Sequence, residues 1–539
     1  MSIKSRLRMW AARNLSEQQK RQIREITSLA FLSDRAKVVT EFGKKHPVHS
    51  FDAFKNIAAD LEFLRGTLKK HDIEWAELPA DKLLRTNLVI ADRDLEKFVT
   101  AVRPLAETGA WSIRAVLKQG FQVSITNQRL KLAEVQSIIC RSHHFAPSGR
   151  QLSTAAEQII VEPWRIASDG EFRADGNTHL PGTLIRKIPL RNTLLEYLTP
   201  AAWQRAQEHP EHRVLHEFPH MYEITQPIDV VYTWVDGNDP AWAARKQEAL
   251  GGVASENFNS TALNQSRFQS RDELRYSLRS LEYYASWVNH IYIVTDQQIP
   301  SWLNTEHPKI TVVDHKDIFS DRSKLPVFNS HAIESQLHHI AGLSEQYLYM
   351  NDDIVFMRPV EPSLFFTANG LSKYFPSNAS LDIDEPSARD MPVLSAAKRN
   401  RRLLEEKYGR TVTNKFKHTP HPQLKSVLEQ FEAENPELFA AVSASKFRHP
   451  EDYSIPSALY HYIAYAQGRA INSTAIKYGY LDIASADAEE KLASLSKHQK
   501  LDVLCLNDTA TEPEQIAHVN AIMHDFLAER FPLKSSFEV

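Results

Sequence analysis

The sequence predicts an α/β protein: a mostly parallel sheet flanked by helices over residues 226–515, preceded by an N-terminal helical and α+β accessory region. Three observations carry that prediction. From Ile228 to Phe356, short and nearly continuous apolar strands alternate with helical windows, the order that builds a parallel sheet covered on both faces. A Gln226-Pro227 break sets this stretch apart from a different region before it. Strand after strand then runs into an aspartate, and in open α/β sheets ligands bind beyond the carboxyl ends of the strands.

Residues 1–110 read as helical, with charged stretches and few glycines. The first fifty residues carry eleven Lys or Arg against four Asp or Glu. Ile3, Leu7, Met9 and Trp10 with Lys4, Arg6, Arg8 and Arg13 compose either a solvated arm or a segment for peripheral contact with an anionic membrane. Residues 111–225 mix short apolar runs (Phe121–Ile125, Val135–Ile139) with turns at Ser168-Asp-Gly and Asp175-Gly-Asn, which indicates an α+β accessory domain. Residues 226–515 form the expected catalytic domain, and 516–539 a C-terminal helix and tail.

The predicted strands of the third region are Asp229–Val235, His290–Thr295, Lys309–Val313 and Gln346–Met350, with a later one at Asp502–Leu506. They lead into Asp236, Asp296, Asp314, Asp352-Asp353 and Asn507-Asp508. A lone Asp after a strand is usually a turn or helix cap. Acids gathered on one rim repel unless a cation sits among them. Asn351-Asp352-Asp353 is the foremost candidate for a divalent-metal site, and oxygen donors favour Mg²⁺ or Mn²⁺ over zinc.

Two helices border that rim. In Arg271–Trp287, Leu274, Leu278 and Leu281 form the buried stripe. Arg271, Arg275 and Arg279 form a second stripe, read either as phosphate clamps with Arg267 or as a surface offset by Asp272 and Glu282. In the helix opened by Asn329-Ser330, Ile333, Leu337 and Ile340 face one way and His331, Glu334 and His338 the other. The polar trio could be a metal site, a base with its orienting carboxylate, or a solvated face. Asn329 or Ser330 caps this helix, and its N-terminus would attract an anion such as a diphosphate. Lys417-His-Thr-Pro-His-Pro422 and Phe447-Arg-His449 are imidazole-rich turns. Neither a glycine-rich phosphate loop nor a serine nucleophile elbow is present.

Composition excludes several classes. A net charge of −3 argues against bulk nucleic-acid binding. No apolar run approaches the roughly 18 residues of a membrane-spanning helix, and the N-terminus lacks the apolar core of a secretory signal. Two cysteines, Cys140 and Cys505, make no disulfide framework, so a cytoplasmic location is expected, with contact at the inner face of the membrane as its extension.

Several blocks resemble the Stealth protein family. Ile228-Asp-Val-Val-Tyr-Thr-Trp-Val-Asp-Gly-Asn-Asp239 is similar to its first conserved block. Arg271–Ser280, Ile291–Asp296, Phe328–Glu334 and Tyr349–Asp353 are similar to the second, Lys417–Pro420 with Phe447-Arg448 to the third, and Cys505–Asp508 to the fourth. The short gaps and the ending Phe531–Phe537 resemble the bacterial capsule-polymerase branch. The resemblance implies a glycosyltransferase-A-like catalytic domain. It also implies transfer of a hexose-1-phosphate, N-acetylhexosamine-1-phosphate foremost, from a UDP-sugar to a hydroxyl of an oligo- or polysaccharide acceptor. UMP would be released and the phosphodiester of a capsular polymer formed. It places function on Asp236, Arg275, His331, Asp352, Asp353, His418, Arg448 and Asp508, with Mg²⁺ on Asp353 and Asp508 or Asp236. Asn238, Asn329, Ser330, Glu334 and Asn351 then bind substrate, and His331 or His418 is the base. Arg271 departs from the family's Asn or Asp and receives no family role. The rivals are a metal-dependent glycosyltransferase that releases UDP and a non-catalytic glycan-binding protein.

Overall fold

The computed structural model describes residues 47–539 except 81, 119, 174, 188–194, 216, 252–267, 388–389, 498–499 and 509–510. The basic segment from Ile3 to Arg13, together with Arg267, lies outside the described residues.

Helix α1 (Ala53–Lys70) starts at Asp52, whose carboxylate accepts the Phe54 and Lys55 N–H groups, a standard N-cap. After it come β1 (Trp75–Glu77), β2 (Arg85–Ala91), α2 (Leu95–Glu107), β3 (Trp111–Leu117), β4 (Gln122–Ser124), β5 (Val135–Ser142), β6 (Gln158–Ile166), β7 (Leu184–Ile185), β8 (Tyr197–Leu198) and α3 (Pro200–Glu208). The strands make one eight-stranded sheet, ordered β1-β2-β6-β5-β3-β4 with β7 and β8 attached at β6. This corrects the boundary expected at residue 110: β2 pairs in parallel with β6, so residues on both sides of that boundary share one sheet. The run Leu88–Ala91 is buried throughout. A short apolar run of this kind fits a strand or a buried helix equally well, and only pairing decides. Arg186 pairs with Glu162 at 2.5 Å, both side chains buried, and Lys187 lies 3.6 Å from Asp92. These basic residues therefore serve the accessory sheet internally.

The second unit comprises β9 (Ile228–Thr233), α4 (Pro240–Gly251), α5 (Glu273–Tyr284), β10 (Ile291–Thr295), β11 (Ile310–Asp314), α6 (Ser330–Glu334), β12 (Gln346–Asn351), β13 (Ile354–Phe356), α7 (Pro392–Tyr408), β14 (His421–Leu424), α8 (Lys425–Glu434), β15 (Tyr478–Asp482), β16 (Val503–Asn507) and α9 (Ile516–Arg530). Its main sheet runs β11-β10-β9-β12-β14. Strands β9 to β12 are parallel and β14 is antiparallel. Val230, Val231, Ile293, Val294, Leu348 and Met350 are fully buried, each stabilising by roughly 1.5–3 kcal/mol. The α/β class and the four parallel strands agree with the sequence reading. The chain builds outward from β9 to β11 on one side, then crosses to β12 on the other, so the strand order reverses between β9 and β12. The crevice at such a reversal is where ligands of open α/β sheets bind.

Two further features shape that crevice. Strand β16 belongs to a separate three-stranded sheet, β13-β16-β15, rather than to the main one. The Asp352-Asp353 turn is the link between the sheets, and the Leu506 N–H donates to the Asp353 carbonyl at 3.0 Å. The C-terminal residues are also integral to this unit, not an appendage after 515. Tyr283 Oη donates to the Leu533 carbonyl at 2.8 Å, and Glu538 accepts from Arg275 Nε at 2.6 Å and Arg279 Nε at 2.7 Å. No described helix is long and apolar enough to cross a membrane.

Candidate active site

A cavity of about 530 Å³ opens at the β9–β12 crevice. Its floor is the turn after β12. Asp352 and Asp353 sit there with Glu273, the first residue of α5. Burial raises the Asp352 pKa well above the ordinary carboxylate range, and the charges of Glu273 and Asp353 add to the shift. Burial likewise pushes Glu273 up to about 7. Asp353 Oδ1 is buried without a hydrogen-bond partner. Three mutually repelling carboxylates with an unsatisfied buried oxygen could hold a cation. Oxygens and nitrogens of Asp353 and His418 also approach Cys505 Sγ, all within 4.8 Å of one another. Burial and Asp353 hold the Cys505 pKa well above the ordinary thiol value, and its Sγ donates to Asp353 Oδ2 at 3.3 Å.

His418 arrives from the other direction. Because β14 is antiparallel, the loop entering it lies at the rim where the parallel strands end. His418 Nε2 is 3.0 Å from Asn351 Nδ2 and 3.7 Å from Asp353 Oδ1. Burial opposes its charge, yet Asp353 and Glu334 outweigh burial and hold its pKa above the usual imidazole value.

Arg448 lines the same cavity. Its Nη2 donates to Ser330 Oγ at 2.8 Å, and the charges of Glu334 and Asp452 act on it against burial, which lowers its pKa. His331 and Glu334 of α6 line the same cavity, and Glu334 accepts from Ser457 Oγ at 2.6 Å. Met391 and Val393, 55% and 50% exposed, form an apolar lip at the start of α7. The excursion that carries them is closed at its base, where the Lys417 N–H donates to the Phe375 carbonyl at 2.9 Å.

The structure thus brings Ser330, His331, Glu334, Asn351, Asp352, Asp353, His418, Arg448 and Asp508 into one cleft. It places four other expected residues differently. Arg275 lies outside the cavity lining, bound to Glu538 beside Arg279. The cause is local: Asp272 adopts a left-handed backbone (φ 64°) immediately before α5, so Arg271 leaves the arginine stripe and turns into the cleft. There Arg271 Nη2 contacts Asp508 Oδ2 at 2.5 Å. Asp508 Oδ1 accepts the Thr511 N–H at 3.0 Å; with both oxygens engaged it is a partner of Arg271 rather than an open metal ligand. Asp236 and Asn238 make a turn in which Asp236 Oδ1 accepts the Asn238 N–H at 2.9 Å, and neither lines the cavity. Asn329 is buried; it caps α6 through the His331 N–H at 3.1 Å and donates to Asp452 at 2.7 Å.

The remaining strand-end acids follow the ordinary reading. Asp314 caps the next turn through the Lys316 N–H at 3.0 Å, and Asp296 is paired with Arg245 at 2.8 Å. The helix expected over 331–340 is broken into α6 and a 3₁₀ turn at Leu337–His339. Its five-residue first part has little dipole with which to hold a diphosphate. His338 consequently leaves His331 and, with His339, donates to Glu432 at 2.6 and 2.7 Å. Those are hydrogen-bond lengths, shorter than the roughly 3.3 Å between two atoms sharing one tetrahedral zinc. Glu273 and Asp452 are the residues sequence reasoning missed, and Arg271, read as one of an arginine stripe, is the member of that stripe that lines the cavity. Glu273 stood inside the Arg271–Ser280 block, and Asp452 only four residues after Arg448.

An α/β sheet with an acid-floored, arginine-walled cleft at its strand-order reversal defines the class of protein. Models of Stealth conserved regions 1, 2, 3 and 4 match residues 226–254, 267–374, 417–465 and 493–539, in that order. The chain belongs to the Stealth protein family. An exopolysaccharide phosphotransferase of Streptomyces coelicolor is 48% identical over 316 residues, covering 59% of this chain and 53% of the relative. The exopolysaccharide phosphotransferase CpsY of Mycobacterium tuberculosis is 40% identical over 321 residues, covering 59% of each. The chain thus spans about half the length of the curated relatives it matches. A solved galactosyltransferase, LgtC with donor and acceptor sugar analogues, aligns over 57% of this chain and 96% of its own at 11% identity. Its TM-score of 0.27 is too low to bear on the site.

Proposed function

We propose that this protein transfers a hexose-1-phosphate from a UDP-sugar to a glycan hydroxyl, releasing UMP and forming a phosphodiester of an exopolysaccharide. The carrying observation is the pairing of opposite poles in one cleft. The crowded acids Asp352, Asp353 and Glu273 lie on the floor, and Arg448, held by Ser330 Oγ, lines the same cavity. A metal-bound diphosphate presents both complementary charges. The relatives named exopolysaccharide phosphotransferases support the same reading.

Asp353, with Asp352 and Glu273 beside it, would hold a divalent cation, Mg²⁺ or Mn²⁺ by the hardness of its oxygen donors. Such an ion would supply positive charge to offset the negative charge of the diphosphate. Arg448, oriented by Ser330, holds the non-bridging phosphate oxygens and their charge. An acceptor hydroxyl attacks the β-phosphorus in line. The new O–P bond forms, the bond from that phosphorus to the α,β-bridging oxygen breaks, and UMP leaves with the electron pair. The sugar C1–O bond is untouched, and a cleft histidine takes the hydroxyl proton. The lip of Met391 and Val393 receives the acceptor's apolar ring faces.

The test is product analysis. Purified protein with Mg²⁺, a panel of UDP-N-acetylhexosamines and a short phosphodiester-linked acceptor should release UMP, and EDTA should abolish it. UDP in place of UMP would mean C1–O cleavage and overturn the reading.

A further inference from the structure

We infer that Asp452 is the positioning carboxylate of His331, and that His331, not His418, is the proton acceptor of the cleft. The inference rests on the phosphotransferase reading above for its kinetic consequences, but its geometry stands alone.

His331 is 4% exposed and Asp452 3%. His331 Nδ1 is buried without a hydrogen-bond partner and points to Asp452 Oδ2 at 3.6 Å. A half-ångström approach makes that contact a hydrogen bond, and catalytic hydrogen bonds are often long before substrate arrives. Asp452 does not wander: its Oδ2 accepts from Asn329 Nδ2 at 2.7 Å and from the His449 N–H at 2.9 Å. Asn329 also receives the His331 N–H on its Oδ1 at 3.1 Å. One asparagine therefore fixes both the helix start that carries the imidazole and the carboxylate that faces it. Burial disfavours the Asp452 anion, but His331 and the His449 N–H outweigh it and keep the carboxyl below its ordinary pKa.

An anionic acceptor facing Nδ1 selects the tautomer with the proton on Nδ1. The lone pair is then on Nε2, the ring nitrogen left for the cavity that His331 lines. This is the arrangement a general base requires, with a carboxylate that orients the ring and stabilises the imidazolium formed on proton transfer. His418 lacks that freedom. Its Nε2 is occupied by Asn351 at 3.0 Å and lies 3.7 Å from Asp353, which ties it to the acidic floor. In the reaction the acceptor hydroxyl's proton passes to His331 Nε2 while its oxygen bonds to phosphorus. Asp452 keeps its charge throughout.

The experiment compares Asp452→Asn, Asp452→Glu, His331→Ala and the double variant Asp452→Asn/His331→Ala. UMP release is measured at saturating and limiting donor, and the His331 tautomer by long-range proton–nitrogen NMR. Asp452→Asn should lower kcat ~10²-fold with KM within about threefold, and Asp452→Glu should recover part of it. The double variant should be no slower than His331→Ala alone, because Asp452 acts only through His331. Wild type should show the Nδ1-protonated tautomer, and Asp452→Asn a mixture. Multiplicative losses in the double variant, or Asp452→Asn turnover equal to wild type, would overturn the assignment. If wild type releases no UMP, the phosphotransferase reading fails; the pairing is then decided by the tautomer, and an unaltered tautomer in Asp452→Asn sinks it.

Discussion

Arg271 and Asp508 form a buried ion pair, Nη2 to Oδ2 at 2.5 Å, with side chains 4% and 5% exposed. The pair fastens the start of α5 to the end of β16 across the cleft, and Asn520 of α9 accepts from Arg271 Nε at 2.6 Å.

Cutting one side of this pair leaves an uncompensated charge. Arg271→Met should cost roughly 3–5 kcal/mol of stability, read as a fall in urea midpoint. The double variant Arg271→Met/Asp508→Asn should be more stable than Arg271→Met alone. Purely additive losses would show that the two residues do not act as a pair.

Asp353 is expected to bind the divalent cation. Mn²⁺ at about 100 times its Kd should stabilise wild type by about 2.7 kcal/mol, and Asp353→Asn should abolish that response together with UMP release. In EDTA the variant should melt no lower than wild type, since Asp353 contributes to the repulsion that raises Asp352. A Tm rise with Mn²⁺ that survives in Asp353→Asn would remove Asp353 from the metal site.

Arg448 should not tolerate lysine. A single ammonium cannot reproduce the planar fork that grips two phosphate oxygens, so Arg448→Lys should slow UMP release ~10²-fold. Ser330→Ala, which loses only the 2.8 Å contact orienting Arg448, should slow it less. Equal rates in Arg448→Lys and wild type would exclude Arg448 from phosphate binding.

Much of this cleft was legible in the sequence, and the exceptions share a cause. The strands from Ile228 to Met350 are nearly continuous apolar runs alternating with helical windows, the order that builds a covered parallel sheet, so the sheet and its Asp352-Asp353 turn could be read directly. Arg275 could not be placed, because its destination is Glu538, which lies 263 residues away in sequence. Periodicity put Arg271 in the same stripe, and a single left-handed residue at Asp272 removed it. His338 was grouped with His331 on the assumption of one continuous helix; a 3₁₀ turn separates them. Asp452 sits in a loop with no periodicity, and loops acquire meaning only from what they face.

Glu538 gives a pH-dependent prediction with a definite sign. Burial raises its pKa, but Arg279, the Ser535 N–H and Arg275 prevail and hold it at about 2, against about 4.3 in the unfolded chain. The folded value is the lower, so the stabilisation is complete above about pH 5 and is lost as pH falls from there towards 2. Glu538→Gln should therefore cost roughly 2–4 kcal/mol at pH 7, with the two melting curves converging in acid. A gap that stays constant from pH 7 to pH 3 would contradict the ion-pair origin.

The closed base of the excursion bearing Met391 and Val393 has an evolutionary consequence. Conserved regions 2 and 3 stop at 374 and resume at 417, the two sides of the Phe375–Lys417 hydrogen bond. What lies between is joined at its ends, and Ser395, Arg399 and Asn400 of α7 also bind the Pro450 and Ser454 carbonyls; lengthening the exposed turns between these anchors costs only about 0.6 kcal/mol per doubling. Those turns can be lengthened or shortened while His418 stays where β14 sets it. The lip can thus differ among chains sharing the four matched regions while those regions keep the floor of the cleft as it is.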